Sequence, residues 1–479
     1  MNYRMICQIL GIVLGTIAVV LLLPALICMI YKEPVAPFLY TTGITGVCAL
    51  VLLLFKPKDK KIYAAEGFVS VGLAWILLSA FGALPFVLSG DIPSFTDAFF
   101  ETVSGFTTTG STNLTDVEAL SMGCLFWRSM THFLGGMGVL VFILAVLPMA
   151  GSRSMHIMRA EVPGYTVGKL VPSMRKTALL LYGIYFAMTV IETILLLCGG
   201  MNLFDAVIHA FGTAGTGGFS NRGASIGYYN STYIDVVITV FMVLFGVNFN
   251  LYFLILLGRV KDALKSEELK WYLGIIVFCG VTIALNLGKT YGGFFPNLRY
   301  SFFQVASLMS STGYGTADFC LWPSYSQGVL MLLMFVGACA GSTGGGIKLG
   351  RFLIMGKAIR QELRQQLRPH SISAARLEGK PLADSTIHST LVFFAGYFFL
   401  LFLGTLLVAV IDGLDITTTF TSVVTCLSNI GPGLGLTGPS GSFAVFSPLS
   451  KWILSFCMLL GRLEIFPILM LFSPEVWKK

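Results

Sequence analysis

Apolar runs as long as a bilayer is thick alternate with short polar stretches along the whole chain. A helix that crosses the hydrocarbon needs about 20 mostly apolar residues, and this length recurs ten times. The expected spans are 5–30, 35–55, 65–88, 122–148, 177–198, 232–257, 269–287, 326–360, 387–411 and 449–472. The first run is too long for a cleaved signal and has no small-residue cleavage site, so it is expected to remain as a span.

Beyond the two leading spans one pattern recurs: apolar span, outer loop with a short semi-polar helix, glycine-centred turn, second apolar span. Four segments align without gaps: AFFETVSGFTTTG (98–110), AVIHAFGTAGTGG (206–218), SFFQVASLMSSTG (301–313) and TFTSVVTCLSNIG (419–431). Each ends in glycine, and the glycines lie 95 to 118 residues apart, the length of one such unit. Other columns agree in type. Phe99, Val207, Phe302 and Phe420 are apolar, while Glu101, His209, Gln304 and Ser422 are polar. The fold class this predicts is an all-α polytopic membrane protein: four span–loop–span repeats in pseudo-fourfold arrangement behind two N-terminal transmembrane helices. Expected boundaries are 1–62 for the leading pair, 63–160, 161–264 and 265–380 for the first three repeats, and 381–479 for the fourth.

Composition agrees with the pattern. Of 479 residues, 55% are hydrophobic and only 11% charged, far from an ordinary soluble domain. The net charge of +8 points to topology rather than to nucleic acid, because the basic residues cluster in alternate loops. KPKDKK (56–61), 151–176, 259–270 and 351–380 are expected on the cytoplasmic side with both termini. The intervening loops carry Asp91, Asp97, Glu101, Asp116 and Glu118 and are expected outside. Ten scattered cysteines without a CxxC pair and five dispersed histidines offer no metal-site spacing. No constellation of nucleophile and base is present, so an enzyme is not expected.

Non-helical backbone at membrane depth survives only where protein buries it or water lines it, because unpaired peptide groups are costly in lipid. Four such turns meeting on one axis would supply each other's environment and make a pore. Backbone carbonyls, helped by threonine hydroxyls, can replace the hydration shell of a monovalent cation, and glycine permits the angles that turn them inward. The candidate ion-coordinating set is Thr108, Thr109 and Gly110; Thr216, Gly217 and Gly218; Ser311, Thr312 and Gly313; Asn429, Ile430 and Gly431.

Two features lie below these turns. GACAGSTGGGIK (337–348) should break the span at 326–360, since each interior glycine costs about 1 kcal/mol of helix stability. It reads either as a close-packing surface or as a mobile flap made of Gly341, Ser342, Thr343, Gly344, Gly345 and Gly346 and followed by Lys348. Three consecutive glycines exceed what packing needs and favour the flap. GRLEIFP (461–467) places Arg462 and Glu464 inside the last span. At about 100° per residue the two point apart. Arg462 is then either an electrostatic barrier facing the pore or an arginine snorkelling to the cytoplasmic surface, with Glu464 anchoring a neighbouring helix.

Together, SGFTTTG, GTAGTGG, MSSTG, LSNIGPGLG, GSTGGGIK and GRLEIFP resemble the Trk/Ktr/HKT superfamily of potassium transporters over nearly the whole chain. The two leading spans resemble its bacterial TrkH/TrkG branch. The resemblance implies K+ as the permeant ion with Rb+ accepted, and potassium preferred over sodium because glycine stands at all four ring positions. It also implies a homodimer in the bacterial inner membrane, gating by the 341–346 loop and Arg462, and a cytosolic TrkA-type nucleotide-binding ring acting on basic loops such as 351–368. This chain has no GxGxxG after a strand, so the nucleotide site is expected on that partner. Gly217 departs from the pattern because it carries no side chain for coordination. A proton- or sodium-coupled symporter is the competing expectation, with Glu192, Asp412 and Glu464 as its few deep acids.

Overall fold

The computed structural model describes residues 1–57, 63–138, 174–368 and 375–477. Among the described residues the chain is helical, apart from one two-residue pairing of Arg376–Leu377 with Lys380–Pro381. Most of KPKDKK, the basic stretch 151–173, the boundary at 160, His156 and His370 lie outside the described residues.

Among the described residues six helices are long and apolar enough to cross a membrane: Tyr3–Tyr31, Ala36–Leu53, Ala65–Ser89, Lys176–Cys198, Glu267–Asn286 and Asp384–Asp412. The outward faces of the last five carry exposed apolar side chains such as Leu50, Ile194, Phe278 and Leu406. Val410 is 85% exposed. Apolar area costs about 25 cal/mol per Å² in water, so such a belt fits hydrocarbon around it. The leading pair is held tightly: a Cβ at Gly11 would come within 3.0 Å of the Ala49 carbonyl oxygen, a backbone-to-backbone approach typical of membrane helices.

Each repeat inserts a re-entrant helix between its spans: Phe95–Phe106, Leu203–Gly215, Phe294–Met309 and Ile416–Ser428. Three of them start on a side-chain cap. Ser94 Oγ accepts from the Asp97 amide at 3.4 Å, Asn202 Oδ1 from Asp205 at 2.8 Å and Asp415 Oδ2 from Thr418 at 2.9 Å, each satisfying an amide the helix leaves orphaned. The Thr418 hydroxyl and amide hold the Asp415 carboxyl below its ordinary range. The third starts at Gly293 without a side-chain cap.

The packing is cyclic. The second-repeat re-entrant helix lies on Met122–Gly136 of the first repeat, the third on Thr232–Phe245 of the second, the fourth on Ser324–Val336 of the third, and the first on Pro448–Arg462 of the fourth. Every quarter is completed by its neighbour.

Continuous helices are expected for the second spans of the first, second and fourth repeats, and among the described residues none of the three runs unbroken. The first, Met122–Gly136, ends ahead of Gly138 with φ 79°, and the remainder of 122–148 lies outside the described residues. The second bends by 92° between Phe245 and Phe249. The third splits into Ser324–Val336 and Leu349–Leu367, as the glycines predict. The fourth stops at Arg462 and resumes at Phe466. The breaks in the second and fourth were hidden because Val247, Phe249, Leu463 and Ile465 keep the apolar run unbroken.

Candidate functional site

Each re-entrant helix ends in the same backbone step. Thr108, Thr216, Ser311 and Asn429 are left-handed, with φ of 56°, 54°, 61° and 53°, and two residues on Gly110, Gly218, Gly313 and Gly431 have φ of 81°, 73°, 85° and 106°. A β-branched residue in this region is a strong outlier, so the surroundings must impose it. The residues in between do so by reaching back five positions: the amides of Thr109, Gly217, Thr312 and Ile430 donate to Ser104, Gly212, Ser307 and Thr425 carbonyls at 2.9, 2.9, 2.8 and 3.0 Å. Four segments of different sequence thus have one conformation.

They also close a ring. A Cβ at Gly110 would overlap the Gly217 carbonyl oxygen, one at Gly218 that of Thr312, and one at Gly313 that of Ile430; at Gly431 it would lie 2.9 Å from that of Thr109. The carbonyls of Thr109, Gly217, Thr312 and Ile430 therefore stand against the next loop's glycine all the way round. All four ring glycines line one cavity of about 290 Å³, whose wall includes Thr112, Arg128, Ser220 and Thr437. Four helix C-termini end at this ring, each worth roughly −0.5 charge.

The hydroxyls are used sideways. Thr109 Oγ1 lies 2.7 Å from Thr107 Oγ1 and accepts from Asn429 Nδ2 at 2.9 Å, while Thr312 Oγ1 lies 2.7 Å from Ser310 Oγ. Ser111 Oγ donates to Gly431 O at 3.0 Å, tying first loop to fourth.

The 337–348 loop folds directly beneath. The Gly346 amide donates to Ser428 O at 2.7 Å, and the Gly345 amide donates to Ser311 Oγ. The other side of the loop is stitched to the second-repeat break: Cys339 N donates to Gly246 O at 3.0 Å, Phe249 N to Gly341 O at 3.0 Å and Thr343 Oγ1 to Phe245 O at 3.3 Å. Ser342 Oγ donates to Cys339 O at 2.6 Å, and the buried Lys348 ammonium donates to Gly344 O.

Arg462 joins these parts. It is 6% exposed. Nη1 donates to Thr343 O at 3.0 Å and Thr108 Oγ1 at 3.3 Å, and Nη2 donates to Gly136 O at 2.7 Å and to Gly135 O. Its charge is spent on carbonyls at the inner face of the ring rather than carried to a surface. The helical-wheel angle between Arg462 and Glu464 does not apply, because the helix ends at Arg462 and both Glu464 and Ile465 are left-handed, φ 54° and 70°. Glu464 pairs with Arg351 on the Leu349–Leu367 helix, so it does anchor a neighbour.

Two charged residues were placed differently by sequence reasoning or passed over. Glu101, expected in a loop on the outer side, lies on a re-entrant helix, is 1% exposed and pairs with Arg128 at 2.5 Å. Arg128 itself stands in the apolar run MGCLFWRSMTHFLGG, where an intramembrane charge demands a partner; that demand was the available signal. His132 also went unnoticed: its Nδ1 lies 2.8 Å from Gly105 O, and its ring fills the space a Cβ at Gly217 would take.

Comparison with known proteins agrees with this architecture. A family model described as "TrkH: Cation transport protein" matches residues 39–290 and 294–479. The Trk system potassium uptake protein TrkH of Escherichia coli K12 is 36% identical, with both chains fully covered. TrkI of Halomonas elongata is 33% identical over 99% of this chain and 97% of its own. The crystal structure of the potassium transporter TrkH from Vibrio parahaemolyticus superposes with a TM-score of 0.90 at 31% identity, both chains fully covered. With a full-length family match, relatives above 30% identity and a shared fold, the chain belongs to the TrkH family of cation transport proteins and is a multi-pass membrane protein.

Proposed function

We propose that the chain is a potassium uptake subunit in which K+ passes, channel-like, through the carbonyl ring of Thr109, Gly217, Thr312 and Ile430. The observation that carries this is the closed loop-to-loop contact of the four ring glycines. Carbonyl dipoles replace the water of a weakly hydrated monovalent ion, and the four converging helix C-termini add negative potential. No carboxylate lines the cavity among the described residues, whereas a divalent site would call for them. Rb+ fits the same chemistry.

The 341–346 loop and Arg462 serve as the gate. A unit charge about 5 Å from a passing cation, at an effective dielectric of about 20, repels it by roughly 3 kcal/mol. Regulation comes from a TrkA-type nucleotide-binding ring acting on the basic helix Leu349–Leu367, in a homodimer placed in the bacterial inner membrane with both termini cytoplasmic and the apolar belt against lipid.

Proteoliposomes test this with a potassium gradient and no proton gradient: K+ flux is expected, and flux that needs protons defeats the channel reading. Gly110→Ser, whose Cβ would push against Gly217 O, is expected to lower the K+/Na+ flux ratio by about tenfold or more; an unchanged ratio removes the ring from selectivity.

One observation favours proton-coupled symport as a second reading. Glu192 is fully buried and neither carboxylate oxygen has a hydrogen-bond partner among the described residues, an environment that suits a proton-carrying acid. Glu192→Gln would abolish proton-dependent uptake under that reading and leave passive flux intact under the first.

A further inference from the structure

We propose that the polar residue nine positions ahead of each ring glycine is a strut that sets the height of the ring, and that Glu101 with Arg128 is the strut that fixes ion specificity. The proposal rests on the ring being the selectivity filter.

The four positions, Glu101, His209, Gln304 and Ser422, share a register on the re-entrant helices, and all are buried. Each grips the segment that leaves the ring on the cavity side. Glu101 accepts from the Thr112 hydroxyl at 3.0 and 3.1 Å and from the Asn113 amide at 3.2 Å. His209 Nδ1 lies 2.7 Å from the Asp205 carbonyl, which can only accept, so Nδ1 carries the proton and Nε2 accepts from Ser220 Oγ at 2.9 Å. Gln304 Nε2 donates to Ala317 O at 3.2 Å. Ser422 Oγ donates to Thr418 O at 2.6 Å, leaving it to accept from Thr437 Oγ1 at 2.8 Å. Four unrelated side chains at one register each hydrogen-bond the segment leaving the ring, three as acceptors and Gln304 as a donor. Packing alone would fill these buried positions with apolar groups, which need no partners.

The struts are unequal. Arg128 Nε donates to Glu101 at 2.5 Å, while its Nη1 donates to Ser220 O at 2.9 Å, the residue whose hydroxyl His209 holds. The first and second loops are thereby locked into one charged network, whose guanidinium is also packed 3.5 Å over the Phe219 ring. The third strut is a single neutral hydrogen bond from the Gln304 amide, and Gln304 Oε1 has no hydrogen-bond partner among the described residues. Charge-assisted bonds are about twice as strong as neutral ones, so the first two loops resist the inward collapse that a smaller ion requires, and the third yields first. Specificity then resides in the Glu101–Arg128 pair more than in the other struts.

The test is the K+/Na+ flux ratio of reconstituted full-length protein, with Gly110→Ser run alongside. Glu101→Gln keeps the shape but breaks the charge pairing; it is expected to lower the ratio by about tenfold, the size of one hydrogen bond to a charge. Gln304→Met should change it by less than about threefold, since a neutral bond is weaker. The double variant Glu101→Gln with Arg128→Gln should be no less selective than the worse single variant, because the two residues act as one unit. A ratio within about twofold of the parent for Glu101→Gln overturns the proposal, as does an equal loss from Gln304→Met. If Glu101→Gln fails to assemble, Glu101→Asp, which keeps the charge and shortens the reach, decides: a lowered ratio supports the strut and an unchanged one refutes it. Loss of selectivity in Gly110→Ser without loss in the Glu101 variants sinks the strut and leaves the filter standing. No loss in either sinks both.

Discussion

A guanidinium buried to 6% exposure stays charged only if its protons find acceptors, and those of Arg462 include three carbonyls and one hydroxyl, drawn from the first repeat and the third-repeat loop. Under the proposed gating, the same bonds that hold the charge inside are the ones that must break for an ion to pass. Arg462→Ala removes clamp and charge together and is expected to raise K+ flux about tenfold, within the few kcal/mol of a nearby unit charge. Liposome flux at fixed protein density checks this; wild-type flux would mean that the arginine is only a structural bridge.

At the level of elements, the loop 337–348 is anchored to the third and fourth ring segments above and to the second-repeat break beside it. A Cβ at Gly345 would strike Ser428 O, whereas one at Gly356, in the helix that follows, would meet nothing within 4 Å. Gly345→Ala should therefore lift the loop from its seat and increase K+ flux several-fold, roughly what loss of one or two hydrogen bonds allows. Gly356→Ala should leave flux unchanged and add up to about 1 kcal/mol of helix stability; equal effects from both substitutions would rule out a seated loop.

The same elements show what the sequence could and could not disclose. The repeat and its four glycine turns were legible because a local constraint, a left-handed step and a glycine two residues on, leaves a local mark. So was the third-repeat break, which is written in glycines. The second-repeat bend was not: it lies at Gly246–Asn248, and what stabilises it is donated from Cys339 and Thr343, about 90 residues away. The burial of Glu101 leaves no local mark either, because its partner, Arg128, is 27 residues further on and the pair meets only through tertiary packing.

Across the whole molecule the repeats are also tied at their outer edge. Asp97 of the first pairs with Lys451 of the fourth at 2.6 Å, and Asp235 of the second with Arg299 of the third at 2.6 Å. Lys451 is largely buried, whereas Asp97 keeps its Asn113 bond and part of its solvent, so Lys451→Met removes one charge-assisted bond and should destabilise the protein by roughly 1 kcal/mol. The exposed Arg259–Asp262 pair is the control: Arg259→Ala should shift stability by less than about 0.5 kcal/mol. Thermal unfolding in detergent compares them, and equal shifts would show that the outer tie between first and fourth repeats adds nothing.

The order in which the quarters enclose each other also bears on how the protein is made. The re-entrant helix Phe95–Phe106 is translated long before the wall it rests on, Pro448–Arg462. Until then its buried acid, Glu101, and its polar turn have only part of their surroundings. A nascent chain stopped before that point carries three quarters of a circle and no enclosed path, so premature termination should yield an inserted but non-conducting fragment rather than a leak.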